Sequence, residues 1–294
     1  MNIRHSVCLL ILIILGCQPQ QPEKQSAMPY IHVSANKPIP LQPELVPAGQ
    51  LIHRGIFSND LQEYYFTVSD TAFAKFDVLV SKYVDGTWQA AEPAFFNSEF
   101  SEHGMSFSPD GQTLVFSSTR PTGSDVSDTW HIWKSVKTEG NWGEPEYVEV
   151  ANLRDKLLSH PTLMPDGTMY FHASEPDYSN MHIYSSAFEN GAYSEATKMT
   201  FEGLNALGYC TPYVSADGRY LIFAAIGESL DLYYCEKNGD GVWSKPMPFP
   251  KSINENSQGN PYLTPDLKQL TYAVEKGQGQ WEIMKVSTKG IIKH

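Results

Sequence analysis

"FSPDGQTLVFSS", residues 107–118, is the stretch on which the fold turns. Two short apolar runs flank Pro109-Asp110-Gly111. Proline presets φ for the first corner of a turn, and Asp and Gly tolerate the backbone angles of a tight hairpin. The Asp carboxylate can also accept backbone N–H bonds within its own turn. The motif recurs as "LMPDGTMYFHAS" from 163, "VSADGRYLIFAA" from 214 and "LTPDLKQLTYAV" from 263, with a weaker copy, "FSNDLQEYYFTV", from 57. The turn aspartates, Asp60, Asp110, Asp166, Asp217 and Asp266, are 50, 56, 51 and 49 residues apart. A fixed period near that value marks a repeat architecture, and it assigns the five carboxylates to the turns rather than to catalysis.

Each copy carries further strands. A third alternating run follows the second: "DVLVSK" at 77, "WHIWKS" at 130, "MHIYSS" at 181, "DLYYCE" at 231 and "WEIMKV" at 281. A Gly turn backed by an aromatic comes next, with Trp88, Tyr193 and Trp243 among the aromatics, and "WGEPEYVEV" from Trp142 shows the fourth strand it opens. Four short strands per repeat predict an all-β chain: a five-bladed β-propeller of four-stranded antiparallel blades.

The Ser-Pro-Asp-Gly turn followed by an apolar-x-apolar strand and Ser resembles the WD-like repeat of TolB-type β-propellers, over about residues 50–286. That resemblance implies a propeller fold, here with five copies where the TolB propeller has six blades. The fifth copy runs out after Gly290, short of a fourth strand. "KPIPLQPEL" from Lys37 lies where a fourth strand is due and is similar to "SKPMPFPKS" at 244, so residues 37–46 are expected to close the ring as an N-terminal outer strand.

The chain begins "MNIRHSVCLLILIILGC". Arg4 and His5 precede a nine-residue apolar run, Val7 to Leu15, too short to span a bilayer and fitting a signal-peptide core. Ile14-Leu15-Gly16-Cys17 resembles the lipobox of bacterial lipoproteins, which implies lipidation of Cys17. By resemblance to enterobacterial sorting rules, Gln18 favours the outer membrane. The expected organisation is a signal peptide over 1–16, an anchor and flexible tether over 17–36, and the propeller over 37–294, in the cell envelope facing the periplasm or the surface. Attachment is then through the N-terminal lipid only, and the protein is expected as a monomer. A net charge of −12 without a basic patch excludes a nucleic-acid footprint. Cys210 and Cys235 fall on the first and third strands of the fourth repeat, about twice the 4.8 Å strand spacing apart, too far for a disulfide.

Inner strands line a propeller's axial channel. Their starts and the ends of the second strands nominate ligand-binding residues at one mouth: His53, Arg54, Glu102, His103, Arg120, His160, Glu175, Tyr209 and Asn260. His53, His103 and His160, from three consecutive repeats, are candidate ligands for a divalent metal. Arg120 is also read as a blade-to-blade strut. Asp70, Glu102 and Glu175 are nominal glycosidase carboxylates. The oligogalacturonate lyases, whose repeats look similar, imply a metal–histidine mouth. No Gly-x-Ser-x-Gly, phosphate loop or His-Glu-x-x-His motif is present. The expected function is binding of a protein or glycan at the mouth, with a polysaccharide lyase or glycoside hydrolase as the alternative.

Overall fold

The computed structural model describes residues 37–126, 129–277 and 279–292. The expected signal segment, Cys17 and the expected tether lie outside the described residues. Five antiparallel sheets follow one another along the chain and form the blades of a propeller. Blade 1 runs through Leu51–Phe57, Glu63–Ser69, Phe76–Val84 and Glu92–Pro93. Blade 2 uses Glu102–Phe107, Thr113–Ser118, His131–Thr138 and Glu146–Tyr147. Blades 3 and 4 begin at Leu157–Leu163 and Gly208–Val214, and blade 5 comprises Gln258–Leu263, Gln269–Glu275 and Trp281–Ser287. Among the described residues no helix is long and apolar enough to cross a membrane.

The repeated turn folds as its chemistry requires. Asp110 Oδ1 accepts from Ser108 Oγ at 2.6 Å and from the backbone of Gln112 at 2.9 Å, and Asp217 repeats this with Ser215 and Arg219. Asp60 and Asp266 make the same pair of bonds, and Asp166 keeps the backbone half with Thr168. The residue after each Asp takes a positive φ, as Gly111, Gly167 and Gly218 but also as Leu61 and Leu267. The two leucines accept the strain because their side chains are buried.

The N-terminal strand closes the ring, over a shorter span than expected. Ile39–Pro40 pairs with Trp281–Ser287, Ile39 facing Lys285, and Leu41 donates its N–H to Ile283 O at 2.8 Å. The chain then leaves the sheet in a short helical turn, Pro43–Leu45. Leu41 is buried beside Ile52, Tyr64, Phe66, Val68 and Ile283, which ties blade 5 to blade 1. Cys210 and Cys235 are buried free thiols. They pair in register with Ala224 and Leu221 on either side of the second strand, and lie in different apolar clusters.

Candidate functional site

The residue six positions before each turn Asp is Arg54, Gly104, His160, Thr211 or Asn260. In every blade the ladder between first and second strands slips at this residue or, in blade 1, at its neighbour His53. In four blades this residue adopts a positive φ: Gly104 at 61°, His160 at 54°, Thr211 at 47° and Asn260 at 53°. Such a bulge turns the backbone out of the ladder and re-aims the side chain. Hydrogen bonds from this position cross the seams to the neighbouring blades. Arg54 Nε donates to Met105 O at 3.2 Å across the seam of blades 1 and 2. His160 N donates to Ser117 Oγ at 2.9 Å across seam 2–3, and Thr211 N to His172 Nδ1 at 3.1 Å across seam 3–4. Asn260 N donates to Thr211 Oγ1 at 3.3 Å, and Asn260 Nδ2 to His53 O at 2.7 Å, which completes the circle.

Over this hydrogen-bonded floor opens a cleft of about 660 Å³. Its wall is a succession of rings. Phe76 packs against His53 at 5.0 Å, His103 at 5.8 Å and Trp130 at 5.8 Å between centroids. His103 lies 3.8 Å from Trp130 and 4.7 Å from His160, which stacks at 4.9 Å on His172. Phe73, Phe100, Tyr178 and Trp281 complete the aromatic lining, and Ser101, Thr119, Thr129, Thr211 and Asn260 supply polar atoms. No Asp or Glu lines the cleft among the described residues.

The imidazoles are neutral. Burial lowers His53 to about 4 and His172 to about 3, and holds His103 and His160 well below the ordinary histidine range. Their hydrogen bonds set the tautomers. Ser69 Oγ spends its proton on Asp70 O, so His53 donates from Nε2 to Ser69 Oγ at 2.7 Å. Thr211 N–H fills Nδ1 of His172 and leaves that ring's proton on Nε2. Ser159 Oγ sits among His103 Nε2 at 2.8 Å, His160 Nδ1 at 3.0 Å and Ser117 Oγ at 3.0 Å.

Of the nine residues nominated from sequence, His53, His103, His160 and Asn260 meet in the cleft. The other five lie elsewhere. Glu102 is fully buried, accepting from Ser98 and Ser118 and paired with Arg120 at 3.4 Å. Desolvation nevertheless keeps its carboxyl above the usual range. Arg120 donates to Phe96 O, in the segment that links blades 1 and 2, and lies over the Phe116 and Trp133 rings of its own blade. Glu175 holds Lys156 at 3.0 Å. Tyr209 turns into the seam of blades 3 and 4, its hydroxyl bonded to Leu204 O and its ring against Phe201. Arg54 is buried beneath the floor. Asp70 accepts from the amides of Ala72 and Ala74, shaping the loop that presents Phe73. Three histidines do contribute to the cleft, but among the described residues no three His, Cys, Asp or Glu are grouped to hold a metal ion. The nominated metal set therefore lacks a common centre.

The ring wall was missed from sequence, although a signal for it exists. Phe76 and Trp281 sit at the starts of third strands and Trp130 just before one, where those strands leave the mouth.

No protein-family model matches the chain, and no curated protein matches it. Similar solved structures do exist. The chain is similar to TolB from Acinetobacter baumannii, with 17% identity and a TM-score of 0.51 over 83% of this chain and 56% of that one. It thus spans little more than half of that protein. It is similar also to the α-L-arabinofuranosidase PaAbf62A from Podospora anserina, with 13% identity, a TM-score of 0.51 and 82% and 90% of the two chains covered. The Hadza microbial sialidase Hz136 gives 12% identity, a TM-score of 0.51 and coverages of 83% and 57%. At such identities the likeness establishes the propeller fold and leaves function to the site.

Proposed function

We propose that this chain is a glycan-binding module of the bacterial cell envelope, anchored through lipid on Cys17, with the ring-walled mouth as its binding site. The observation that carries the reading is the composition of the cleft. Phe73, Phe76, Trp130, Tyr178 and Trp281 face it together with uncharged His53, His103 and His160, and no carboxylate does so among the described residues. Aromatic faces with a few fixed hydroxyl, amide and imidazole groups suit a ring-shaped, hydroxyl-bearing ligand. Glycoside hydrolysis needs two carboxylates at a set separation across one bond. Asp70, Glu102 and Glu175 are instead committed to a loop, a buried pair and a lysine. A lyase base works best with a pKa near the operating pH, and these imidazoles lie well below it.

The test is calorimetric titration of the soluble domain with a panel of neutral and acidic oligosaccharides, alongside assays for new reducing ends and unsaturated uronates. Saturable binding without turnover is expected, weakened at least about tenfold in Trp130→Ala, which corresponds to about 1.4 kcal/mol. Turnover of any member would overturn the reading in favour of the enzyme. Lipid attachment is tested separately, by the mass of the mature N-terminus and by release of Cys17→Ala from membranes.

A further inference from the structure

The cleft is lined by uncharged groups, but a charge lies under it. Arg54 follows His53 in the chain, and its Nε donates to Met105 O at 3.2 Å, two residues beyond His103. His53 and His103 both line the cleft. Arg54 is 1% exposed and closed off from solvent, with Nη1 and Nη2 lacking an acceptor among the described residues. Burial lowers it only to about 10, so it stays charged at neutral pH. The charge is felt at the lining. Burial first, then the neighbouring imidazoles and the Arg54 cation, hold His103 and His160 well below the ordinary histidine range.

Little around the mouth offsets this charge. Other cations there are paired: Lys75 with Asp77 at 3.1 Å, Arg120 with Glu102 at 3.4 Å, Lys156 with Glu175 at 3.0 Å and Lys276 with Glu282 at 3.3 Å. Asp70, Glu99 and Asp177 sit on the loops that carry Phe73, Phe100 and Tyr178, and all three face water. At equal distance, a charge acting through protein at an effective dielectric of about 20 is about four times as strong as one acting through water at about 80. Three rim carboxylates therefore fall short of one buried guanidinium. Salt weakens them further, since the screening length is about 8 Å at physiological ionic strength and buried charges are screened much less. The cleft is left with a positive potential, and the hydroxyls of Ser101, Thr119 and Thr129 stand in its lining as donors.

We infer that the glycan taken at this mouth is anionic, selected over its neutral counterpart by the field of Arg54 acting across the floor without contact. The inference rests on the glycan reading of the mouth and adds the ligand's charge to it. The test titrates the soluble domain with short uronate oligosaccharides beside the same molecules with their carboxyls reduced to alcohols, and with sulfated oligosaccharides beside their desulfated forms. In at least one kind of pair the charged form should bind at least about tenfold more tightly, which is about 1.4 kcal/mol. The ratio should persist in about 0.5 M NaCl, because the charge responsible is buried. Arg54→Met should bring the ratio close to one, and Arg54→Lys should keep it. Charged and neutral forms that bind alike in both kinds of pair overturn the inference and leave the glycan reading standing; no binding by any member removes both. A preference that survives in Arg54→Met, or that vanishes in salt, belongs to surface charge and overturns the role of Arg54. If Arg54→Met does not fold, the salt series on the unaltered protein decides alone.

Discussion

Deleting residues 37–46 should open the ring, and the cost follows from the apolar side chains that would return to water. Leu41 is 4% exposed in a cluster spanning blades 5 and 1, and Leu45 and Val46 pack against the same cluster. Full burial of such a side chain contributes about 1.5–3 kcal/mol, and half-buried ones about half as much. Leu41 with Ile39, Leu45 and Val46 then accounts for about 4–7 kcal/mol. The register Ile39↔Lys285, Pro40↔Met284 and the bond from Leu41 N to Ile283 O add a little more. Set against a domain's net stability of about 5–15 kcal/mol, this is a large share. At about 2–4 °C per kcal/mol for a domain of this size, the melting temperature should fall by at least roughly 8 °C relative to a chain starting at residue 37. The third strand of blade 5 would also become an unprotected edge, so light scattering should rise with the transition. Leu41→Ala reports on the same seam without removing backbone and should cost about 2–5 kcal/mol. Melting within about 2 °C of the longer chain for the deletion, together with an unshifted denaturation midpoint for Leu41→Ala, would refute the closure argument.

Three further outcomes are expected. Both thiols of the propeller should be free yet inert in the native state, because burial pushes Cys210 and Cys235 up to about 12; a thiol reagent should titrate two groups after denaturation and almost none before it. Gly104→Ala should cost about 1–3 kcal/mol and weaken ligand binding, since φ is +61° there and a Cβ would lie 3.0 Å from Ser117 Oγ and 3.2 Å from His160 Cα; a melt and a titration check it. The buried imidazoles should make the fold acid-sensitive. Unfolded histidines take up protons as pH falls through about 6.5, whereas folded His53 and His172 wait until about 4 and about 3, so their stabilisation is complete above pH 6.5 and is lost progressively below it. Between pH 6.5 and 5 that is about 2 kcal/mol per imidazole, and His172→Gln should melt with a visibly shallower pH dependence.

The fold was legible because the chemistry of one turn repeats. An Asp followed by a left-handed residue, preceded in four of the five copies by a Ser or Thr two positions back, identifies each hairpin, and the spacing of the Asp residues counts the blades. The closing strand was legible by register alone, and its length was overestimated because Pro43–Leu45 turns helical once Leu41 has found its pocket. The site was legible only by half. Sequence position names the residues at a strand's end but not the side of the strand they face, and a bulge at that very point reverses the alternation. Arg54 and Tyr209, placed at the mouth by counting, turn inward, and His172, on the second strand of blade 3, stacks on His160. Which carboxylates stay free could not be read either. Glu102 finds Arg120, and Glu175 finds Lys156, which precedes the first strand of its own blade, through pairings that depend on the folded blades.

The bulge position gives the molecule its division of labour. Thr211 is β-branched at a positive φ, and His160 and Asn260 share that conformation; each such residue stores strain of order 1–3 kcal/mol. They are held there because the turned-out amide is what crosses the seam: His160 N to Ser117, Thr211 N to His172, Asn260 N to Thr211. The floor of the cleft is therefore part of the clasp that keeps the blades together. Substituting His160, Thr211 or Asn260 disturbs seam and site at once, so a loss of binding there would not by itself identify a contact. Phe73 and Trp281 make no such bond among the described residues and stand on the wall, whereas Trp130 O accepts from Leu158 N across the seam of blades 2 and 3. Phe73 is 45% exposed, so its replacement by Ala should leave the melting temperature within about 2 °C, as for surface substitutions. If that replacement still weakens the ligand, the rings recognise it. If binding is lost only in variants that also melt early, recognition lies elsewhere and the aromatic wall is packing alone.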